Sequence, residues 1–180
     1  MKITRDIWEE VKEATVVLLE DGDGKIALAR KKQPIHHDSG AIEYSLGRYN
    51  GYGGKKEKED TTIFATAIRE LYDESGVIAR EADLTLALRV YFSIKGKNEL
   101  KEPFMIVSFF VLRNWEGIPV EGSEMGSPTF FNRESIPFEE MMPADELLFK
   151  KIFAGEYGVY DVYLQGKHEA PVLEKLDEEL

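Results

Sequence analysis

Cysteine is absent from this chain of 180 residues, which excludes a disulfide framework and thiol chemistry and fits a cytoplasmic location. Basic residues are in short supply. Lys and Arg number 23 against 34 Asp and Glu, a formal net charge of -11. Binding along a nucleic-acid backbone needs clustered cations to replace counterions, so no nucleic-acid polymer is expected as a partner. Free nucleotides stay open, because divalent cations can sit between an acidic protein and a polyphosphate. No apolar run is long enough to span a bilayer, and the charged start MKITRDIWEEVKE has no signal-peptide apolar segment, so no membrane association is expected. Internal repeats and long Gly/Ser/Pro linkers are also missing. One domain over residues 1–180 is therefore expected, and 43% hydrophobic content can furnish one substantial core.

Hydrophobic patterning indicates an α/β domain. Ala14 to Leu19 and Lys25 to Ala29 flank Asp21-Gly22-Asp23-Gly24 and read as a hairpin. Leu84 to Ile94, Phe104 to Leu112 and Val159 to Leu164 read as strands, while Asp145 to Phe153 has helical spacing. Lys31 to Leu46 reads as an irregular insertion. It contains His36, His37 and Asp38, which lack a ligand partner at a diagnostic spacing and are expected in a solvated loop. Glu174 to Leu180 is expected as a solvated helix end or frayed tail.

The stretch Gly53 to Val77, GGKKEKEDTTIFATAIRELYDESGV, carries the chemistry. Asp60, Thr61 and Thr62 are candidate helix N-caps, Phe64, Ala67, Ile68 and Leu71 form an apolar stripe, and Gly76 suits a left-handed stop. Glu70, Asp73 and Glu74 stand at i, i+3 and i+4, on one side of the helix. Such like-charge spacing costs roughly a few tenths of a kcal/mol per pair, so a cation is expected among these acids. Mg2+ favours carboxylate oxygens and bridges to phosphate. Gly51, Gly53 and Gly54 allow tight backbone where a ligand approaches closely.

The same stretch resembles the signature of the Nudix hydrolases, G-x5-E-x7-R-E-U-x-E-E-x-G-U, with U aliphatic. Arg69 to Val77 matches every defined position of the second half except Asp73, where that family usually has Glu. One extra residue lies between Gly54 and Arg69, so either Glu59 or Asp60 stands for the outer Glu. The resemblance implies an α/β/α sandwich around a mixed β-sheet, and attack of water on a phosphoryl group. It further implies that Glu70, Asp73 and Glu74 ligate Mg2+, for which Mn2+ can substitute, with the Gly54 carbonyl as an added ligand. Glu124 enters as metal ligand or base, Arg69 orients a helix carboxylate, and Lys55 contacts phosphate. Glu74 and Glu124 both remain candidates for the base, with coupled titrations.

Outside the signature, RYNGYGGK, GIPVEGSEM, IPFEEMMPAD and YDVYLQGK look like the oxidised-purine nucleoside triphosphatases, the 8-oxo-dGTP diphosphatase branch. That likeness implies release of a nucleoside monophosphate and pyrophosphate, sanitising the nucleotide pool. It also implies that Asn50 reads the base and that Asp145 matches the second of two adjacent pocket aspartates. Ala144 replaces the first, Met142 stands where a stacking Trp is common, and Phe92 is the nearest match for an aromatic wall. A lone ionised Asp145 is acceptor-only, which suits guanine's N1-H and amino donors and leads us to expect 8-oxo-dGTP over 2-oxo-dATP. Ala144 and the insertion also leave room for another nucleoside diphosphate derivative, such as a nucleotide sugar or ADP-ribose. The repulsive acid cluster argues against a non-catalytic nucleotide-binding module.

Overall fold

The computed structural model describes residues 11–32, 45–94, 103–165 and 169–180. His36, His37 and Asp38 lie outside them, as does most of the Lys31 to Leu46 insertion. Strands β1 (Lys12–Glu20) and β2 (Ile26–Arg30) form the expected antiparallel hairpin. Its turn is built locally: the Asp21 carboxylate accepts the N–H groups of Asp23 (2.9 Å) and Lys25 (2.8 Å), and Gly24 takes the left-handed conformation at φ 76°.

The chain continues through β3 (Tyr49–Asn50), α1 (Ile63–Ser75), β4 (Leu84–Ile94), β5 (Met105–Leu112) and β6 (Thr129–Phe131). It ends with α2 (Asp145–Phe153), β7 (Gly158–Leu164) and β8 (Val172–Lys175). The sheet order is β3-β2-β1-β5-β4-β7-β8, with β6 also paired to β2. β1 runs parallel to β5 and β4 parallel to β7, while the remaining pairings are antiparallel, so the sheet is mixed as expected.

Strand alternation divides the core in two. β1 sends Ala14 and Leu18 to one face and Val17 and Leu19 to the other, and β2 likewise separates Ile26 and Leu28 from Ala27 and Ala29. Helix α2 covers the first face with Leu148, Phe149 and Ile152, whereas α1 covers the second with Ala67 and Leu71. The result is the three-layer α/β/α arrangement. Edge-to-face packing of Phe64 on Phe110, centroids 5.0 Å apart, fixes α1 over β5.

One expectation fails at the C-terminus. Glu174 is neither in a helix end nor in a frayed tail, because Val172–Lys175 pairs with β7 and Leu173 packs against the core. Backbone pairing to the preceding strand, with Glu174 opposite Asp161, was not visible in a charge-rich local composition.

Candidate active site

Thr62 caps α1 by accepting the Ala65 N–H at 3.0 Å, and Gly76 closes it in the left-handed conformation at φ 73°. The capping choice frees Asp60 for another task. Its carboxylate receives Arg69 Nε at 2.9 Å and Nη2 at 2.7 Å, with further donors from Thr66 (3.0 Å) and the Glu57 N–H (2.9 Å). The bidentate arginine and these donors hold the Asp60 carboxyl far below the usual carboxylate range. Asp60, and not exposed Glu59, is thus the acid that engages Arg69 through both carboxylate oxygens. Arg69 uses Nη1 to reach Glu70 Oε1 at 2.8 Å and donates to the Lys55 carbonyl at 3.1 Å. It therefore links the loop after Gly54 to the first acid of the cluster.

The three helix acids are graded by depth, with side-chain exposures of 15% for Glu70, 59% for Asp73 and 2% for Glu74. Glu70 lies against Gly54, where an added Cβ would sit 2.5 Å from its carboxyl carbon. Burial pushes the Glu70 carboxyl up, Arg69 opposes that, and the charges of Glu124 and Asp73 push it further up. Negative charge therefore converges on Glu70 from the helix and from a separate loop.

Glu74 faces inward because it follows Ala67 and Leu71 along the packed side of α1. Its oxygens accept the Gly53 N–H at 2.7 Å and Lys31 Nζ at 3.3 Å. Burial raises its carboxyl to about 7 against the opposing pull of Lys31 and Gly53. Gly53 can serve only as glycine: its φ is 153°, and a Cβ would stand 2.1 Å from the Thr15 carbonyl oxygen.

Glu124 is exposed on a loop anchored to β2 and the two residues after it. Lys32 N–H donates to the Glu124 carbonyl at 2.8 Å and Gly126 N–H to the Arg30 carbonyl at 2.8 Å. Lys32 Nζ pairs with Glu121 at 2.6 Å, and Ser127 Oγ donates to the same carboxylate at 2.8 Å. The loop thus presents Glu124 from a fixed base.

A second group of expected residues lies around β3 and the start of α2. Asn50 pairs in register with Ala29, and its Oδ1 accepts the Gly51 N–H at 2.8 Å. Asp145 is buried and accepts the Met142 N–H at 3.1 Å. Burial raises its carboxyl to about 7, partly offset by that hydrogen bond and by Arg48. Burial thus works against the expected ionised form of Asp145, while the Met142 N–H and Arg48 favour it. Met142 and Phe92 are both half-buried, Phe92 against the α2-side core.

With this geometry in view, the profile of the NUDIX domain matches residues 10–161. The chain belongs to the Nudix family. It is a Nudix hydrolase, an enzyme. A protein of Danio rerio named oxidized purine nucleoside triphosphate hydrolase is 34% identical over 160 residues, covering 86% of this chain and 88% of the relative. A mouse (Mus musculus) protein of the same name is 36% identical over 123 residues, 66% of this chain and 74% of the relative. The crystal structure of the MutT protein from Bacillus halodurans has a TM-score of 0.66 at 19% identity, covering 91% of this chain and 98% of that one, and so shares the fold.

Nudix hydrolases use divalent cations. Among the described residues no three acids stand together closely enough to hold a metal ion as placed. The donor set nonetheless fits a hard cation. Glu70, Asp73 and Glu124 are carboxylates, the charges of the latter two act on Glu70, and the absence of a Cβ at Gly54 lets the Glu70 carboxyl pack against the backbone there.

Lys31 is the site-adjacent residue that sequence reasoning missed, having assigned it to the insertion. Alternation in β2 was the available signal, since Ala27, Ala29 and Lys31 fall on one face and α1 covers that face. Tyr52 is the other: fully buried, its hydroxyl lacks a hydrogen-bond partner among the described residues and feels the charge of Glu74.

Proposed function

We propose that this Nudix hydrolase acts on oxidised purine nucleoside triphosphates of the 8-oxo-dGTP kind, releasing the monophosphate and pyrophosphate and so clearing damaged nucleotides from the cytoplasmic pool. It does so as one domain with Mg2+, for which Mn2+ substitutes. The observation that carries the reading is the convergence of Asp73 and Glu124 charge on a Glu70 carboxylate that Arg69 orients beside Gly54. Glu70, Asp73, Glu74, Glu124 and the Gly54 carbonyl would hold the cation. Bound there, it would neutralise phosphate charge and lower the pKa of its water.

The chain's own groups divide the remaining work. Glu74 has its oxygens engaged by Gly53 and Lys31, which suits a fixed ligand better than a mobile base. Glu124 is exposed on an anchored loop and is the better placed to accept the proton of the attacking water. Lys55 follows Gly54 and is assigned to the phosphates. Asn50 and Asp145 read the purine edge, with Met142 and Phe92 as apolar walls. The names of the Danio rerio and mouse relatives support the substrate class.

A hydrolysis screen over oxidised and normal nucleoside triphosphates, nucleotide sugars and ADP-ribose, with products identified by mass, tests this reading. The highest kcat/KM should fall on an oxidised purine triphosphate. A nucleotide sugar or ADP-ribose as best substrate would transfer the assignment to those compounds, a reading compatible with buried Ala144 in place of a second pocket acid.

A further inference from the structure

The segments assigned to the purine are far apart in sequence and are joined by two arginines. Arg48 Nη1 donates to the Met141 carbonyl at 2.7 Å across 93 residues. Arg30 Nη1 donates to the Gly47 carbonyl at 2.7 Å, pairs with Glu140, and stacks 4.1 Å above the centroid of Tyr49. The two clamps differ in environment. The Arg30–Glu140 pair is 44% and 46% exposed, where solvent screening leaves little net stabilisation. Arg48 is half-buried, and its bond ends one residue before the Met142 N–H that holds Asp145.

We propose that Arg48 is a specificity-determining positioning residue: by bonding the Met141 carbonyl it keeps the Met141–Asp145 segment in register with Asn50, so that Asp145 meets the purine edge. The proposal rests on the reading of Asn50 and Asp145 as the base-reading pair. A planar guanidinium suits a double duty because its fork can bond a carbonyl in one direction while its charge acts in another. Asp145 is a buried carboxyl that burial drives toward its neutral form, and Arg48 opposes that drive. Arg48 acts from the β3 side, and the Met142 N–H acts from the carboxylate's own segment. Neighbouring Glu146 is exposed and pairs with Lys150 at 2.6 Å.

Without the guanidinium, Asp145 spends more time protonated at neutral pH and presents an O–H to guanine's N1-H and amino donors. A donor facing donors weakens binding without touching the phosphates. The test is Arg48→Gln, with Arg48→Lys as the rescue variant, assayed on 8-oxo-dGTP and 2-oxo-dATP from pH 6 to 9 after melting curves confirm folding. For Arg48→Gln we expect KM for 8-oxo-dGTP to rise about tenfold at pH 7, the equivalent of one charge-assisted hydrogen bond. Its kcat should stay within about twofold, the loss should shrink at higher pH, and 2-oxo-dATP should suffer less. Arg48→Lys should restore the pH profile. An equal loss on both nucleotides, or a loss confined to kcat, would overturn the proposal. Carbon-detected NMR titration of Asp145 in the nucleotide-free proteins separates this from failure of the substrate reading. If no oxidised purine is turned over by the wild type, the substrate reading falls. An Asp145 titration unmoved by Arg48→Gln overturns the role of Arg48.

Discussion

Substituting Gly54 by alanine should separate catalysis from folding. The new Cβ would lie 2.5 Å from the Glu70 carboxyl carbon and 2.6 and 2.7 Å from its two oxygens, whereas ordinary contact begins at 3.4 Å. The carboxylate must therefore retreat by roughly 1 Å, a displacement that costs on the order of 10²-fold in rate when it misplaces a reacting constellation. That factor corresponds to about 2.7 kcal/mol of transition-state stabilisation. The clash is with the far end of a side chain, so the fold can absorb it. Gly53→Ala is the contrasting control, because its Cβ would meet the Thr15 carbonyl oxygen at 2.1 Å with φ at 153°. Backbone cannot give so readily, and the conformation alone costs roughly 1–3 kcal/mol. The assay is kcat and KM for 8-oxo-dGTP over a Mg2+ titration, paired with thermal melting. We expect Gly54→Ala to melt near wild type with kcat reduced about 10²-fold, and Gly53→Ala to melt well below it. A Gly54→Ala enzyme with normal turnover, or one as unstable as Gly53→Ala, would refute the cradle beside Glu70.

Three further substitutions test other parts of the site. Asp145 has a folded pKa raised from 3.8 to about 7, so its neutral form contributes stability that is fully present below pH 3.8 and lost as pH rises through 7. Asp145→Asn should accordingly gain stability relative to wild type as pH climbs through that window, by on the order of a few kcal/mol, and a pH-independent gap in melting temperature would contradict it. Tyr52→Phe removes a buried hydroxyl with no partner among the described residues and should stabilise the protein by about 1 kcal/mol in denaturant unfolding; a loss of similar size would mean that the hydroxyl is hydrogen-bonded in solution. Glu124→Gln should lower kcat while leaving KM near wild type, since a base acts as the water loses its proton; a rise in KM alone would make Glu124 a binding residue.

Local signals were read well where the physics is local. Asp21 to Gly24 set the hairpin, one of the three candidate caps Asp60 to Thr62 together with Gly76 bounded α1, and Asp145–Phe153 emerged as a helix with the expected limits. Short strands β3 and β6 have two and three residues, too few to show alternation, and form because β2 offers them an edge. In the site, helical spacing gave Glu70, Asp73 and Glu74 a common side but not their depths, which depend on where the sheet lies beneath α1. The choice of Asp60 over Glu59 required knowing which acid meets Arg69. The burial of Asp145, which raises its pKa, was not legible, because it is created by packing that no nearby residue announces.

The most direct test of the account is product analysis by mass spectrometry after incubation with 8-oxo-dGTP, with and without Mg2+. The account predicts 8-oxo-dGMP and pyrophosphate in the presence of the cation and no turnover once it is chelated. Release of orthophosphate and a nucleoside diphosphate, turnover that persists in chelator, or none under either condition would contradict it.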